Sequence, residues 1–356
     1  MLSGSHSCSS FESRSIALDL RVLGIVSAPP EVMLPLTPDS DLGDLPRVDI
    51  EACAVIADPA EERALEYRMT ACWPTENLRC DDPERAVVYL AGSDAQPWVT
   101  IDDPDQTARA GDDDRAGYAC GSMRSDLVLA TLLLDQLQLE DSLAAIATQA
   151  AANGGNLDVQ IELAVRGPQE PDERIQYASK RARFALPLPP ERVANQNPAL
   201  VELQAQRLPE PGSPIEADPT PRAAPTLRCA DASPSAPSDP PADDAPLVVG
   251  PGDTIDFTPV EAQGAREDYL VPTFDGGARM FTENLTYAWY ATAGSWQREV
   301  SGGPRDFAGN QPPLSSEWTA PEIDRVGDGL LVQVWLIQRD ERGGQSARET
   351  CVWVTP

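Results

Sequence analysis

Histidine is nearly missing from this chain: His6, in a polar stretch near the start, is the only one in 356 residues. That excludes serine–histidine triads, imidazole-ligated zinc and histidine acid–base catalysis. Lysine is equally scarce, with Lys180 alone. No C-x-x-C pair occurs, so a zinc site would need four scattered thiolates. No apolar run reaches the ~18 residues of a membrane-spanning helix. The longest, LVLATLLL at 127–134, has the length of a strand or short helix. Basic residues are outnumbered, 27 against 57 acidic, for a net charge of −30. Such a surface repels phosphate, which speaks against nucleic acid and against docking on anionic lipid without an anchor. G-x-S-x-G, G-x-x-x-x-G-K-[ST] and G-x-G-x-x-G motifs are all absent. A Ser179–Lys180 dyad fails because adjacent strand residues point to opposite faces, so Lys180 reads as a solvated strand residue.

What is present begins with length: 356 residues exceed one core of usual size, so two domains are expected. The first half reads mostly as strands. In LDLRV, Leu18, Leu20 and Val22 share a face. In RVDIEACAVI the shared face is Val48, Ile50, Ala52, Ala54 and Ile56. NLDVQIELAVR alternates Leu157, Val159, Ile161, Leu163 and Val165 with Asp158, Gln160 and Glu162. This period of two marks half-buried antiparallel strands. RIQYASKRARFALPL reads as a closing strand. EDSLAAIATQAAANGG has helical spacing at Leu143, Ile146, Ala147 and Ala150, with Asp141 or Ser142 as cap and Gly154 as terminator. It predicts one inserted amphipathic helix.

Strand patterns return in the second half. TIDFTPV places Ile255 and Phe257 together, and NLTYAWY places Leu285, Tyr287 and Trp289 together. GLLVQVWLIQ is apolar on both faces and predicts a central strand. RDERGG predicts a turn, with Gly343 and Gly344 free for positive φ, so 330–338 and 347–354 form a hairpin. The pattern predicts a mainly β fold with antiparallel β-sandwiches. Between the halves, residues 209–246 are so rich in Pro, Ala, Ser and Asp that an extended or disordered loop is expected. The expected boundaries are a tether at 1–15, a first sandwich at 16–190 and a second at 191–356.

Seven cysteines, with no metal-binding pattern, point to disulfides and an oxidising compartment. The number is odd, and Cys8, in GSHSCSSF, is the one set aside. For Cys53, Cys72, Cys80, Cys120, Cys229 and Cys351 the expected pairs are Cys72–Cys80, Cys53–Cys120 and Cys229–Cys351. The competing reading is free buried thiols in a cytosolic chain. Residues 1–7 hold no apolar stretch of leader length, and the expectation is a start that has been misplaced or trimmed.

Three patterns admit a ligand reading beside a structural one. The acidic stretch 102–117 reads as a solvated loop, its alternative being a weak calcium site involving Asp112 and Asp114. Trp296 and Trp318 flank predicted loops and are the candidates for a sugar-stacking platform, against a role in the core. A carboxylate pair for glycoside hydrolysis carries no signal, because with 57 acids some pair always lies at a suitable spacing. No cofactor is expected beyond calcium.

Two stretches carry a resemblance. CSSFESRSIALDLRVLGIVSAPPEV, through Cys8, Leu20–Ile25 and Pro29–Val32, resembles the start of myxobacterial-type envelope lipoproteins. NQNPALVELQ, the YAWY strand and VWLIQRDERGG resemble the C-terminal immunoglobulin-like domain of the same proteins. The resemblance implies two immunoglobulin-like domains, acylation at Cys8 and export to the cell envelope, with the membrane met only through the lipid. It implies a non-catalytic structural or interaction module whose partners are other envelope proteins or surface polysaccharide. The alternative is a carbohydrate-binding or adhesion module.

Overall fold

A computed structural model describes residues 13–355 apart from 37–39, 41, 60–63, 75, 78, 83–84, 102–117, 138–154, 169–170, 172–173, 210–219, 233–244, 274–276 and 323–328. The fold is mainly β. The first half supplies β1 (Arg21–Ala28), β2 (Glu31–Met33), β3 (Asp49–Ala57), β4 (Glu66–Cys72), β5 (Val88–Ala91), β6 (Val99–Thr100), β7 (Ala119–Arg124), the helix α1 (Ser125–Leu137), β8 (Asn156–Arg166) and β9 (Gln176–Ala185). The second half supplies β10 (Leu200–Arg207), β11 (Arg222–Ala223), β12 (Leu247–Val249), β13 (Thr254–Glu261), β14 (Asp268–Pro272), β15 (Ala278–Thr282), β16 (Thr286–Ala291), β17 (Ser295–Trp296), β18 (Val300–Gly302), β19 (Ser316–Thr319), β20 (Leu330–Arg339) and β21 (Gln345–Val354).

In the first sandwich the sheet β1-β3-β7 faces the sheet β2-β9-β8-β4-β5, with β6 also on β4. Ile50, Ala52 and Ala54 meet Leu157, Val159, Ile161, Leu163 and Val165 in the core between them. Both sets are the ones that alternation along their strands picks out. Strand β9 does not close its sheet, because β2 pairs in parallel along its other edge. Leu18 leaves the face proposed for it and is exposed, while Leu20 reaches the core. The cause is that β1 starts only at Arg21, so Leu18 lies outside the sheet. LVLATLLL is helical, within α1. The helix expected over 141–154 lies outside the described residues.

In the second sandwich the sheet β11-β10-β13-β19-β17 faces the sheet β12-β21-β20-β16-β18. Strands β10, β13 and β19 hold the A, B and E positions of an immunoglobulin-like sandwich, and β16, β18, β20 and β21 hold C, C′, F and G. Trp289 on β16 is the buried tryptophan of the C position. Residues 220–232, inside the stretch expected to be disordered, are held: β11 pairs with β10 and Cys229 is bridged to Cys351. The rest of 210–244 lies outside the described residues.

The two-sided apolar character of β20 has a clear cause. Val332, Val334 and Leu336 point into the second core, while Trp335 and Ile337 point the other way. There, with Ala288, they meet Leu23, Val55 and Ala57 of the first sandwich. The four sheets therefore stack as layers, with β1-β3-β7 buried on both faces. Ser15–Ala17 also belongs to the second sandwich: Ala17 N–H donates to Ala291 O (2.8 Å), and Ala291 N–H donates to Ser15 O (2.9 Å). The stretch proposed as tether and first strand is thus partly a strap on the neighbouring domain.

Candidate functional site

All three expected disulfides are formed: Cys53–Cys120, Cys72–Cys80 and Cys229–Cys351. They mark a non-cytoplasmic protein. Glu51, Cys53 and Cys120 come within mutual reach of a metal ion, but the two sulfurs are bonded to each other and offer no thiolate.

Neither proposed sugar-stacking ring stands on the surface. Trp318 is fully buried, its Nε1–H donating to Ala293 O at 3.0 Å. Trp296 is half-buried, its ring 5.1 Å from that of Trp289 and 5.8 Å from that of Phe257. Each brings a large apolar area to a small core, and that outweighs exposure for stacking. Cys8, Asp112 and Asp114 lie outside the described residues.

The structure assembles something else: a charged clasp where the sandwiches meet. Its centre is Arg342, in the turn between β20 and β21. Nε donates to Glu283 Oε1 (2.7 Å), and Nη2 donates to Glu267 Oε2 (2.6 Å) and Asn195 Oδ1 (2.7 Å). Asn195 sits in the interdomain connection. Its N–H donates to Glu31 Oε2 at 2.6 Å, and Arg192 pairs with the other oxygen of Glu31. Asn197 adds a second tie, with Nδ2 donating to Ser27 O (2.8 Å) and Oδ1 accepting from Gln345 N–H (2.9 Å). The connection is thus bonded to both sandwiches rather than left as a hinge.

The turn that carries Arg342 is built by Asp340. Its Oδ1 accepts the N–H groups of Arg342 (2.8 Å), Gly343 (2.6 Å) and Gly344 (2.7 Å). Gly343 takes φ 104°, which L side chains rarely adopt. Gly344 is required for a different reason from the one expected. A Cβ there would strike the Asp340 carboxylate and lie 2.8 Å from Gln196 O. Lys180, read as solvated, is half-buried, and its Nζ donates to Gly343 O. Burial lowers its pKa to about 8 despite the opposing charge of Asp340, with Arg339 and Arg183 adding to the fall. Burial also works against the Arg342 charge, yet the hydrogen bond and charge of Glu283, with Glu31 and Glu267, hold its pKa above the ordinary value.

Four carboxylates are buried among the described residues: Glu31, Glu162, Asp253 and Glu283. Each is paired with an arginine: Arg192, Arg79, Arg207 and Arg342 in that order. Two of the four pairs lie in the clasp.

The clasp lies at one end of the second sandwich. Thr286 pairs with both Gly302 and Arg339, so the ribbon β14–β15, the loop after Gly302 and the turn after Arg339 leave the sandwich together. In that loop Asp306 accepts the N–H groups of Ala308 and Asn310, both at 2.8 Å, and Arg305 donates to Gly309 O at 2.9 Å. Between them Phe307 stands fully exposed, and Met280 projects from the ribbon. Sequence reasoning missed both the clasp and this loop. The signals were an arginine just before the two glycines of a predicted turn and a phenylalanine between Asp306 and Ala308, neither of which stands out in a local pattern.

No family model matches the chain, and no curated protein matches it. Among solved structures, fibronectin(III)-like modules of Clostridium thermocellum CbhA align over 94% of both chains at 6% identity and a TM-score of 0.18. Red sea bream transglutaminase aligns over 94% of this chain and 31% of its own at 8% identity and 0.21. The native conformation of the E. coli alpha-2-macroglobulin aligns over 95% and 17% at 8% identity and 0.19. Scores this low carry no weight for this chain, whose fold class rests on its own strand order.

Proposed function

We propose that this chain is an exported, non-catalytic module of the bacterial cell envelope, anchored through acylated Cys8, in which two locked sandwiches act as a structural and interaction unit. The observation that carries the reading is the clasp. Arg342, Asn195 and Glu31 tie the domains in one relative placement, and burying charge there carries a desolvation cost that an apolar contact avoids, which fits a device that specifies geometry. Arginine pairing of the four buried carboxylates is likewise a structural use of acid groups. A pair set for hydrolysis keeps one carboxyl protonated and both facing an open cleft. Rigid display of Phe307 supports the interaction role, because an ordered loop loses little freedom on binding. The partners of this reading are other envelope proteins.

The deciding experiment is mass spectrometry of the protein isolated from its native envelope. A mature chain beginning at Cys8 with acyl chains attached is expected. A mature, unmodified Cys8 preceded by residues 1–7 would remove the anchor from the proposal.

A further inference from the structure

We propose that Cys72–Cys80 is a reversible thiol–disulfide exchange site, opened by a dithiol oxidoreductase at Cys80, while the other two disulfides are permanent. Access separates the three. Cys53, Cys120, Cys229 and Cys351 are all buried, the most exposed of them at 8%. Cys72 is buried as well, at 2%, but Cys80 is only partly covered. Exchange needs a thiolate to reach a sulfur in line, so access selects which bond reacts.

The surroundings suit that step. Gln160 Nε2 donates towards Cys80 Sγ at 4.0 Å. The consequences for the fold differ too. Cys72 and Cys80 are 8 residues apart, against 67 and 122 for the other pairs. Opening the short loop leaves both sandwich cores joined as before.

The short loop also keeps a second set of ties. Arg79 Nε donates to Glu162 Oε2 (2.9 Å), and Cys80 N–H donates to the same oxygen (2.8 Å). The Arg79 guanidinium lies 3.4 Å from the centroid of the Tyr177 ring. Glu162 is buried on β8, beside the Cys72 strand. With the S–S bond open, these contacts hold Cys80 near Cys72, so that the bond can form again.

In the reaction, a thiolate of the partner dithiol attacks Cys80 Sγ. The S–S bond breaks, and Cys72 leaves as a thiolate that takes a proton from water. The second partner thiol, deprotonated, then attacks its own sulfur in the mixed disulfide and Cys80 leaves, also to be protonated. The protein gains two electrons and two protons, and the partner dithiol becomes a disulfide.

Two measurements on the full chain test this. In a dithiothreitol titration with alkylation and peptide mapping, Cys72 and Cys80 are expected to be labelled at a concentration at least tenfold below the other four, with the thermal melt of the second sandwich unchanged. Simultaneous opening of all three bonds, or earlier opening of another, would overturn the proposal. A reduced thioredoxin-type dithiol protein lacking its second cysteine is expected to be trapped on Cys80. Trapping on Cys72, or none at all, would overturn it. Arg79→Ala should slow reoxidation of the pair severalfold without changing which pair opens first, and an unchanged reoxidation rate would remove Arg79 from the positioning role.

Discussion

The two sandwiches of this chain solve the same problem in different ways. The first fills its core mainly with aliphatic side chains and carries two disulfides, one between neighbouring strands and one closing a short loop. The second buries Trp289, Trp318, Phe257 and Tyr287 completely and has one bridge, which lies outside that core with Leu227. Aromatic rings supply so much apolar area per residue that few are needed in a small sandwich. The single bridge then does what packing cannot: it ties the distant segment around Cys229 to the last strand.

The comparison can be broken most sharply at that bridge. Replacing Cys229 and Cys351 by serine should cost about 5 kcal/mol, the chain-entropy value for a loop of its 122-residue separation. The same change at Cys72 and Cys80, 8 residues apart, should cost about half as much. Denaturant unfolding of the two double variants reads the difference, and equal losses would mean that loop closure is not what these bonds contribute.

Next in size is the core itself. Trp289→Ala should cost about 3–5 kcal/mol and Ile161→Ala about 2–5 kcal/mol. The first is expected to unfold the second sandwich ahead of the first one, giving two transitions by circular dichroism. A single shared transition in both variants would show that the domains melt as one unit. The clasp comes third. Arg342→Met leaves Glu283 buried and unpaired, for a loss of about 3 kcal/mol, and small-angle scattering should show a larger, less defined particle. An unchanged scattering curve would assign the fixed geometry to the apolar contacts of Trp335 and Ile337 alone.

The smallest effect is in pH. With its pKa lowered to about 8 from 10.5, Lys180 in the folded chain binds fewer protons than in the unfolded chain between those values. Stability from this group therefore rises as pH climbs from about 8 towards 10.5, and is lowest below that window. Melting temperature against pH, wild type minus Lys180→Met, should show a small rise over the window, and a fall would reverse the assignment.

Period-two alternation identified the core faces of β3, β8, β13 and β16 because apolar side chains recur at every second position on the face turned to the core, even where, as in β3 and β8, the other face is covered too. It failed at Leu18, which precedes β1, and it could not say why β20 is apolar on both faces. The answer lay in a neighbouring domain. Loop composition was a weaker guide. A Pro-rich stretch around Cys229 looked too polar to order, yet the bridge and the pairing of β11 hold residues 220–232 in place. Trp296 and Trp318 flank predicted loops, which leaves a surface platform open beside a role in the core, because a side chain's burial is set by the sheet across from it.

The residues in order were enough to determine the long strands, the mainly β class and the poverty of histidine chemistry, because these follow from short-range alternation and from the inventory of side chains. Stacking of the four sheets, the clasp at Arg342 and the presentation of Phe307 were decided only by tertiary structure. The stacking and the clasp join groups far apart in the chain, and the exposure of Phe307 depends on what packs around its loop, so no local pattern encodes them.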